Sequence, residues 1–88
     1  MGYEWDPEKN RDNITKHGID FADAIRIFDG LTREKVDDRL DYGEMRTIAL
    51  GIMDGREVVV VYAERGENRR IISARKATRG ERKAYYKA

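Results

Sequence analysis

Asp54-Gly55 lies between two apolar stretches, 45–53 and 56–64, and a two-residue Asp-Gly turn between such stretches is the strongest short-range hairpin signal a chain offers. A turn that short also sets the register, so Met53 faces Arg56, Gly51 faces Val58, Ala49 faces Val60 and Thr47 faces Tyr62. Ile48, Leu50 and Ile52 then share a face with Val59 and Val61, and that face is expected to take the helices. Thr47, Ala49 and Gly51 beside Val58, Val60 and Tyr62 make a smaller, more polar face, read as an open surface. Arg65-Gly66-Glu67-Asn68 is the next connection, leading to a third strand over 69–75. If those four residues form the loop, Glu64 pairs with Arg69, Tyr62 with Ile71, Val60 with Ser73 and Val58 with Arg75. That register puts Ile72 and Ala74 on the helix-covered face and Ser73 and Arg75 on the open one, and a slip of one residue reverses both.

Three helices are expected around this sheet. Tyr3-Glu4-Trp5 suits a short first strand ending at a cap, with Asp6 as N-cap, Pro7 as the first helical residue and Gly18 closing a helix over 7–17. Its apolar stripe is poor: Ile14 is the only large aliphatic residue, and Asn10, Asn13 and His17 share its side. These polar groups either tie the helix to nearby backbone or, at Lys16 and His17, help line a site. Asp20 caps a second helix over 20–28 with Phe21, Ala24, Ile25 and Phe28 as its buried stripe. Residues 31–43 are charged and aperiodic, a long loop with a short strand at 35–37. Thr78 and Glu81 form a capping box that opens a short basic helix from Arg79 to about Lys87.

Eighty-eight residues make one domain, 1–88, with a thin core: 40% apolar residues stand against 40% charged. There is no cysteine, hence no disulfide or thiolate metal site. No apolar run could span a bilayer and no signal-like start is present, so the chain is expected to be cytoplasmic and free of membrane. Residues 1–44 hold 7 Lys and Arg against 12 Asp and Glu, net −5, while residues 45–88 hold 11 against 5, net +6. A split of this kind suits a polyanion-binding face, or attraction between the halves or to a partner.

The cationic residues concentrate where the last strand meets the last helix. Arg75 and Lys76 follow Arg70-Ile71-Ile72-Ser73-Ala74 and precede the Thr78 cap, a rigid junction that holds cations for a phosphate at little ordering cost. The alternative is a pair of solvated strand-end cations. His17 is the only histidine and Ser73 the only serine, which leaves no histidine pair, no metal-ligand spacing and no supported nucleophilic triad. No glycine-rich phosphate loop is present. No cofactor or metal is expected. Electrostatic catalysis by fixed Arg and Lys remains, and RNA suits it because the 2'-hydroxyl is a built-in nucleophile. A non-catalytic module binding nucleic acid or an acidic protein is the competing reading.

Trp5-Asp6, Asn13 with Lys16-His17-Gly18, Phe21 with Ala24 and Phe28-Asp29, the Val58–Val61 run with Glu64-Arg65-Gly66, and Arg70 to Ala77 with Glu81-Arg82 and Tyr85 resemble BrnT toxins over nearly the whole chain. The resemblance implies an α+β fold of RelE type, an antiparallel sheet with two N-terminal helices on one face and a short C-terminal helix. It also implies a metal-independent endoribonuclease toxin of a type II toxin-antitoxin system. Its partner would be a BrnA-like ribbon-helix-helix antitoxin in a heterotetramer that reaches DNA only through the antitoxin. Arg75, Lys76, Tyr85 and His17 are implied as catalytic, and Lys16, Arg46, Arg65, Arg70 and Arg79 as RNA-binding. Glu81 is read as a capping residue rather than a base, Arg46 as paired with a loop aspartate such as Asp38 or with RNA, and Arg65 as an RNA contact or a turn residue alone.

Overall fold

In the computed structural model, which describes residues 1–87, the chain runs β1 (Gly2–Glu4), α1 (Pro7–His17), α2 (Phe21–Ala24), a 3-10 helix (Ile25–Asp29), β2 (Arg33–Val36), β3 (Thr47–Met53), β4 (Arg56–Arg65), β5 (Asn68–Lys76) and α3 (Arg79–Tyr86). The five strands form one sheet in the order β1-β5-β4-β3-β2. The fold is α+β as expected, but the sheet is mixed, because β1 pairs parallel with β5 while all other pairs are antiparallel.

Local signals act as read. Asp6 accepts from the Glu8 amide at 2.9 Å, and Gly18, at φ 71°, donates to the Ile14 carbonyl at 2.7 Å. Asp54 and Gly55 both take positive φ and close the β3–β4 hairpin in the anticipated register, Met53 opposite Arg56 through Thr47 opposite Tyr62. α1 is fastened by polar groups rather than by an apolar stripe. The Asn10 amide donates to Asp20 and its carbonyl oxygen accepts the Phe21 amide, both at 2.9 Å. β1 covers only the first part of β5, and beyond it buried Asn13 takes the place of a neighbouring strand. Its amide donates to the Ala74 and Ile19 carbonyls at 2.9 Å, and its carbonyl oxygen accepts the Ala74 amide at 3.1 Å.

Four expectations are corrected. The second helix is α-helical only over Phe21–Ala24 and then tightens into a 3-10 turn; its fully buried residues are Phe21, Ala24 and Ile27, with Ile25 and Phe28 partly buried. A spacing of three places those side chains one above another in a helix of three residues per turn. β2 begins at Arg33 rather than Lys35. The β4–β5 register agrees at Glu64–Arg69 and Tyr62–Ile71, then shifts so that Val61 meets Ser73, Val60 meets Ala74, Val59 meets Arg75 and Val58 meets Lys76. One extra β5 residue in the ladder is a bulge, and it lets Ile71 and Ala74, three apart, both join the core.

The last correction concerns the faces. α2 and the 3-10 helix cover Ala49, Gly51, Val58, Val60 and Tyr62, the face read as open, while α1 lies along β5, and Leu50 and Val59 pack with Ala77 and Tyr85 of the α3 region. Small residues there are an approach surface: a Cβ on Gly51 would stand 2.8 Å from the Ile27 Cβ. Both faces of the β4 run are apolar because both are covered.

Candidate active site

β5 delivers Arg75 opposite Val59, on the sheet face away from α2 and the 3-10 helix, and the Thr78 capping box starts α3 three residues later. The Glu81 carboxylate that closes the box, accepting the Thr78 amide at 2.8 Å, also takes the Arg75 guanidinium in a two-pronged pair at 2.8 and 2.9 Å. Arg75 and the Thr78 amide hold the Glu81 carboxyl down at about 2 against the opposing effect of burial. Glu81 in turn raises the Arg75 pKa, against burial and the like charge of nearby Arg39. Arg75 keeps 37% of its side chain exposed, so its orientation is fixed while part of the guanidinium still faces solvent.

The same face gathers cations that the loop reading left unplaced. Arg33 and Lys35 of β2 stand opposite Leu50 and Ile48 and, with Val59, Glu81 and Ala84, line a cleft of about 220 Å³. Among the described residues neither has a carboxylate partner. Arg39 is clasped by Asp37 at 2.7 and 2.8 Å, and that buried carboxyl is held well below the usual carboxylate range by Arg39 first, with burial opposing. Arg46 lies 4.0 Å over the Tyr42 ring and 3.3 Å from Glu44, so its acidic partner is Glu44 and not Asp38.

The other expected residues fall into separate places. Lys76 is exposed in a depression with Arg56, Glu57 and Arg82 at the hairpin end. Arg79 is exposed at the start of α3. Tyr85 is buried; its hydroxyl donates to the Leu31 carbonyl at 2.8 Å, and its own carbonyl accepts from Arg33 Nε at 2.7 Å. Lys16 and His17 line a shallow depression with Asp12, Asn13 and Ser73, two residues before Arg75 on β5 and so about 7 Å along the strand. Arg70 pairs with Ala63 near the far end of the sheet, roughly 17 Å along β5 from Arg75, and Arg65, opposite Asn68, lies farther still. Neither can share a phosphate with Arg75.

Sequence reasoning missed Arg33, Arg39 and Arg69. Arg69 is stacked between the Phe28 and Tyr62 rings, 4.6 and 4.7 Å from their centroids, and supports Glu34, which accepts from the Tyr62 and Thr32 hydroxyls. The approach of Glu34 to Arg69 joins the acidic and basic halves of the chain, so part of the charge split is used internally. Among the described residues no three His, Cys, Asp or Glu side chains converge as metal ligands, and no helix is long and apolar enough to cross a membrane.

Fold and site together define a small α+β protein with a mixed five-stranded sheet and an arginine-rich face bordered by its last helix. Residues 5–81 match the family model described as the ribonuclease toxin, BrnT, of type II toxin-antitoxin systems, and the chain belongs to that family. Arg75, Lys76 and Glu81 fall inside the matched span and Tyr85 outside it. Among solved structures it is similar to the Brucella abortus ribonuclease toxin BrnT, with 33% identity and a TM-score of 0.69 over 90% of this chain and 99% of that one. A search of curated proteins found no significant match.

Proposed function

We propose that this chain cleaves RNA internally and without a metal, by in-line attack of the 2'-hydroxyl on the adjacent phosphorus. The P–O5' bond breaks, leaving a 2',3'-cyclic phosphate on one product and a 5'-hydroxyl on the other. The 2'-hydroxyl proton leaves to a base, and an acid returns a proton to the departing 5'-oxygen. Arg75, aimed by Glu81, neutralises charge that grows on the phosphorane; such a fixed donor supplies about 3–4 kcal/mol in the transition state. His17, the one imidazole of the sequence, is the proton carrier, and Lys16 beside it binds phosphate. Lys76, Arg46 and Arg79 steer the polyanion, with Arg65 and Arg70 reaching more distant phosphates. Tyr85, whose hydroxyl is engaged by Leu31, serves as the anchor of α3 rather than as the acid.

Cleavage of RNA in the cytoplasm would halt translation and growth. A type II system supplies an antitoxin, and we read it as a BrnA-like ribbon-helix-helix protein that joins two toxins in a heterotetramer and brings them to operator DNA. The observation that carries the catalytic reading is the two-pronged Arg75–Glu81 pair at the strand-to-helix junction. Purified protein incubated with RNA in EDTA should cleave it, and Arg75→Ala should not. Intact RNA with the parent would leave a non-catalytic binding module, and size measurement of a co-purified pair giving a one-to-one complex would remove the heterotetramer.

A further inference from the structure

β2 is an edge of the sheet, with β3 on one side and no strand on the other. The Asp37 amide donates to the Arg46 carbonyl at 2.8 Å, continuing the register in which Arg33 faces Leu50 and Lys35 faces Ile48. Backbone groups of an antiparallel strand alternate in direction, so Arg33, Lys35 and Asp37 bond inward and Glu34 and Val36 turn their N–H and C=O groups outward. All four β2 residues are exposed, Val36 at 54%. An open strand edge invites a further strand unless something blocks it.

The side chains decide what kind. Arg33 and Lys35 project beside the apolar floor of Ile48, Leu50 and Val59 and lack carboxylate partners among the described residues, whereas the Glu34 carboxylate is occupied by Tyr62 and Thr32. A second copy of this chain fits poorly. Pairing of two β2 edges must match outward residues with outward residues, which sets Lys35 against Lys35 when Glu34 meets Val36, Arg33 against Lys35 when Glu34 meets Glu34, and Lys35 against Asp37, a buried carboxylate already held by Arg39, when Val36 meets Val36. Like charges directly opposite one another are unfavourable. We propose that β2 is the docking edge for an extended segment of the antitoxin that adds as a sixth strand, with carboxylates opposite Arg33 and Lys35 and apolar residues between them. The partner's existence rests on the toxin-antitoxin reading; its mode of attachment rests on this edge. Main-chain bonds to Glu34 and Val36 hold the segment, and the acidic-apolar alternation selects it.

The test uses the full chain with two probes, a short synthetic peptide of alternating Glu and Val and the antitoxin encoded beside the toxin. Amide hydrogen exchange should show new protection at Glu34 and Val36 with both, and none with a Lys-Val peptide. Val36→Pro removes only an outward N–H, so it should melt and cleave RNA like the parent while binding the antitoxin at least about tenfold more weakly. Lys35→Glu should lose the preference for the Glu-Val peptide over the Lys-Val one, and retention of that preference overturns the edge, which keeps the test valid should the proline variant unfold. An antitoxin complex without protection at Glu34 and Val36, or undiminished binding by a folded Val36→Pro, overturns the edge while leaving the toxin reading intact. A self-dimer protected at those amides overturns it as well. Failure of the parent to cleave RNA would sink the toxin reading instead, while the peptide arm would still decide the edge.

Discussion

Arg75→Ala should separate the catalytic role proposed for this guanidinium from its hold on Glu81. The side chain makes two charge-assisted bonds to Glu81 at 2.8 and 2.9 Å, but the partners are 37% and 31% exposed, so solvent screening leaves the pair about 1–2 kcal/mol rather than the sum of two buried bonds. For a chain of this size that is a fall of roughly 4–16 °C in Tm. Removing the donor from the phosphorane should lower the cleavage rate about a hundred- to a thousandfold, measured below both melting transitions with EDTA present. Glu81→Gln keeps an acceptor for the Thr78 amide but loses the ion pair, so it should share the stability loss and lose only about tenfold in rate. pH supplies a further check. Glu81 titrates at about 2 in the fold against 4.5 ordinarily, so its stabilisation is full above pH 4.5 and disappears as pH falls towards 2. The stability gap between parent and Glu81→Gln should therefore close across that window. A parent rate in Arg75→Ala, or a melting curve unchanged by either substitution, would refute the reasoning.

Asn13→Ala leaves the Ala74 amide and the Ala74 and Ile19 carbonyls unpaired in the interior, and should cost about 3 kcal/mol, seen as a fall of roughly 12–24 °C in the circular-dichroism melt. Tyr85→Phe loses the bond to Leu31 and should lower stability by about 1 kcal/mol with cleavage within about twofold of the parent; a large rate loss at unchanged Tm would make the hydroxyl catalytic after all. Burial, and then donation to Glu34, push the Tyr62 hydroxyl up to about 12 from 10.0, so its contribution is present below pH 10 and is lost as pH rises towards 12. Tyr62→Phe should flatten that alkaline decline in stability.

The parts of the fold legible in the sequence were those set by adjacent residues. Asp6-Pro7, Gly18, Asp54-Gly55 and Thr78 with Glu81 each act through backbone bonds a few positions away, and each behaves as read. The choice of face was not legible, because Val58 to Val61 is apolar without a break and a period of two cannot orient a strand buried on both sides. Gly51 argued for an open surface only until the Ile27 backbone is placed against it. Arg33 bonds the Tyr85 carbonyl far along the chain, and Arg39, though clasped by Asp37 two residues before it, sits in an aperiodic loop that gives no pattern to read.

Arg75 shows how an expected position can be right for the wrong reason. The expected register put it with Val58 and Val60 on a face free of the N-terminal helices; the bulge moves it to Val59, and α2 with the 3-10 helix covers the other face. Two inversions cancel, and Arg75 emerges on the side away from α2 and the 3-10 helix. The error that does not cancel concerns its charge. Glu81 was fully accounted for by the helix cap, yet a carboxylate has two oxygens and room for more than one donor, so the capping role and the arginine partner coexist. That sharing fixes Arg75 to the first turn of α3. The direction of the guanidinium is set by the helix start, so Glu81→Ala, which removes both contacts of the carboxylate, should lose the cap and the hold on Arg75 together.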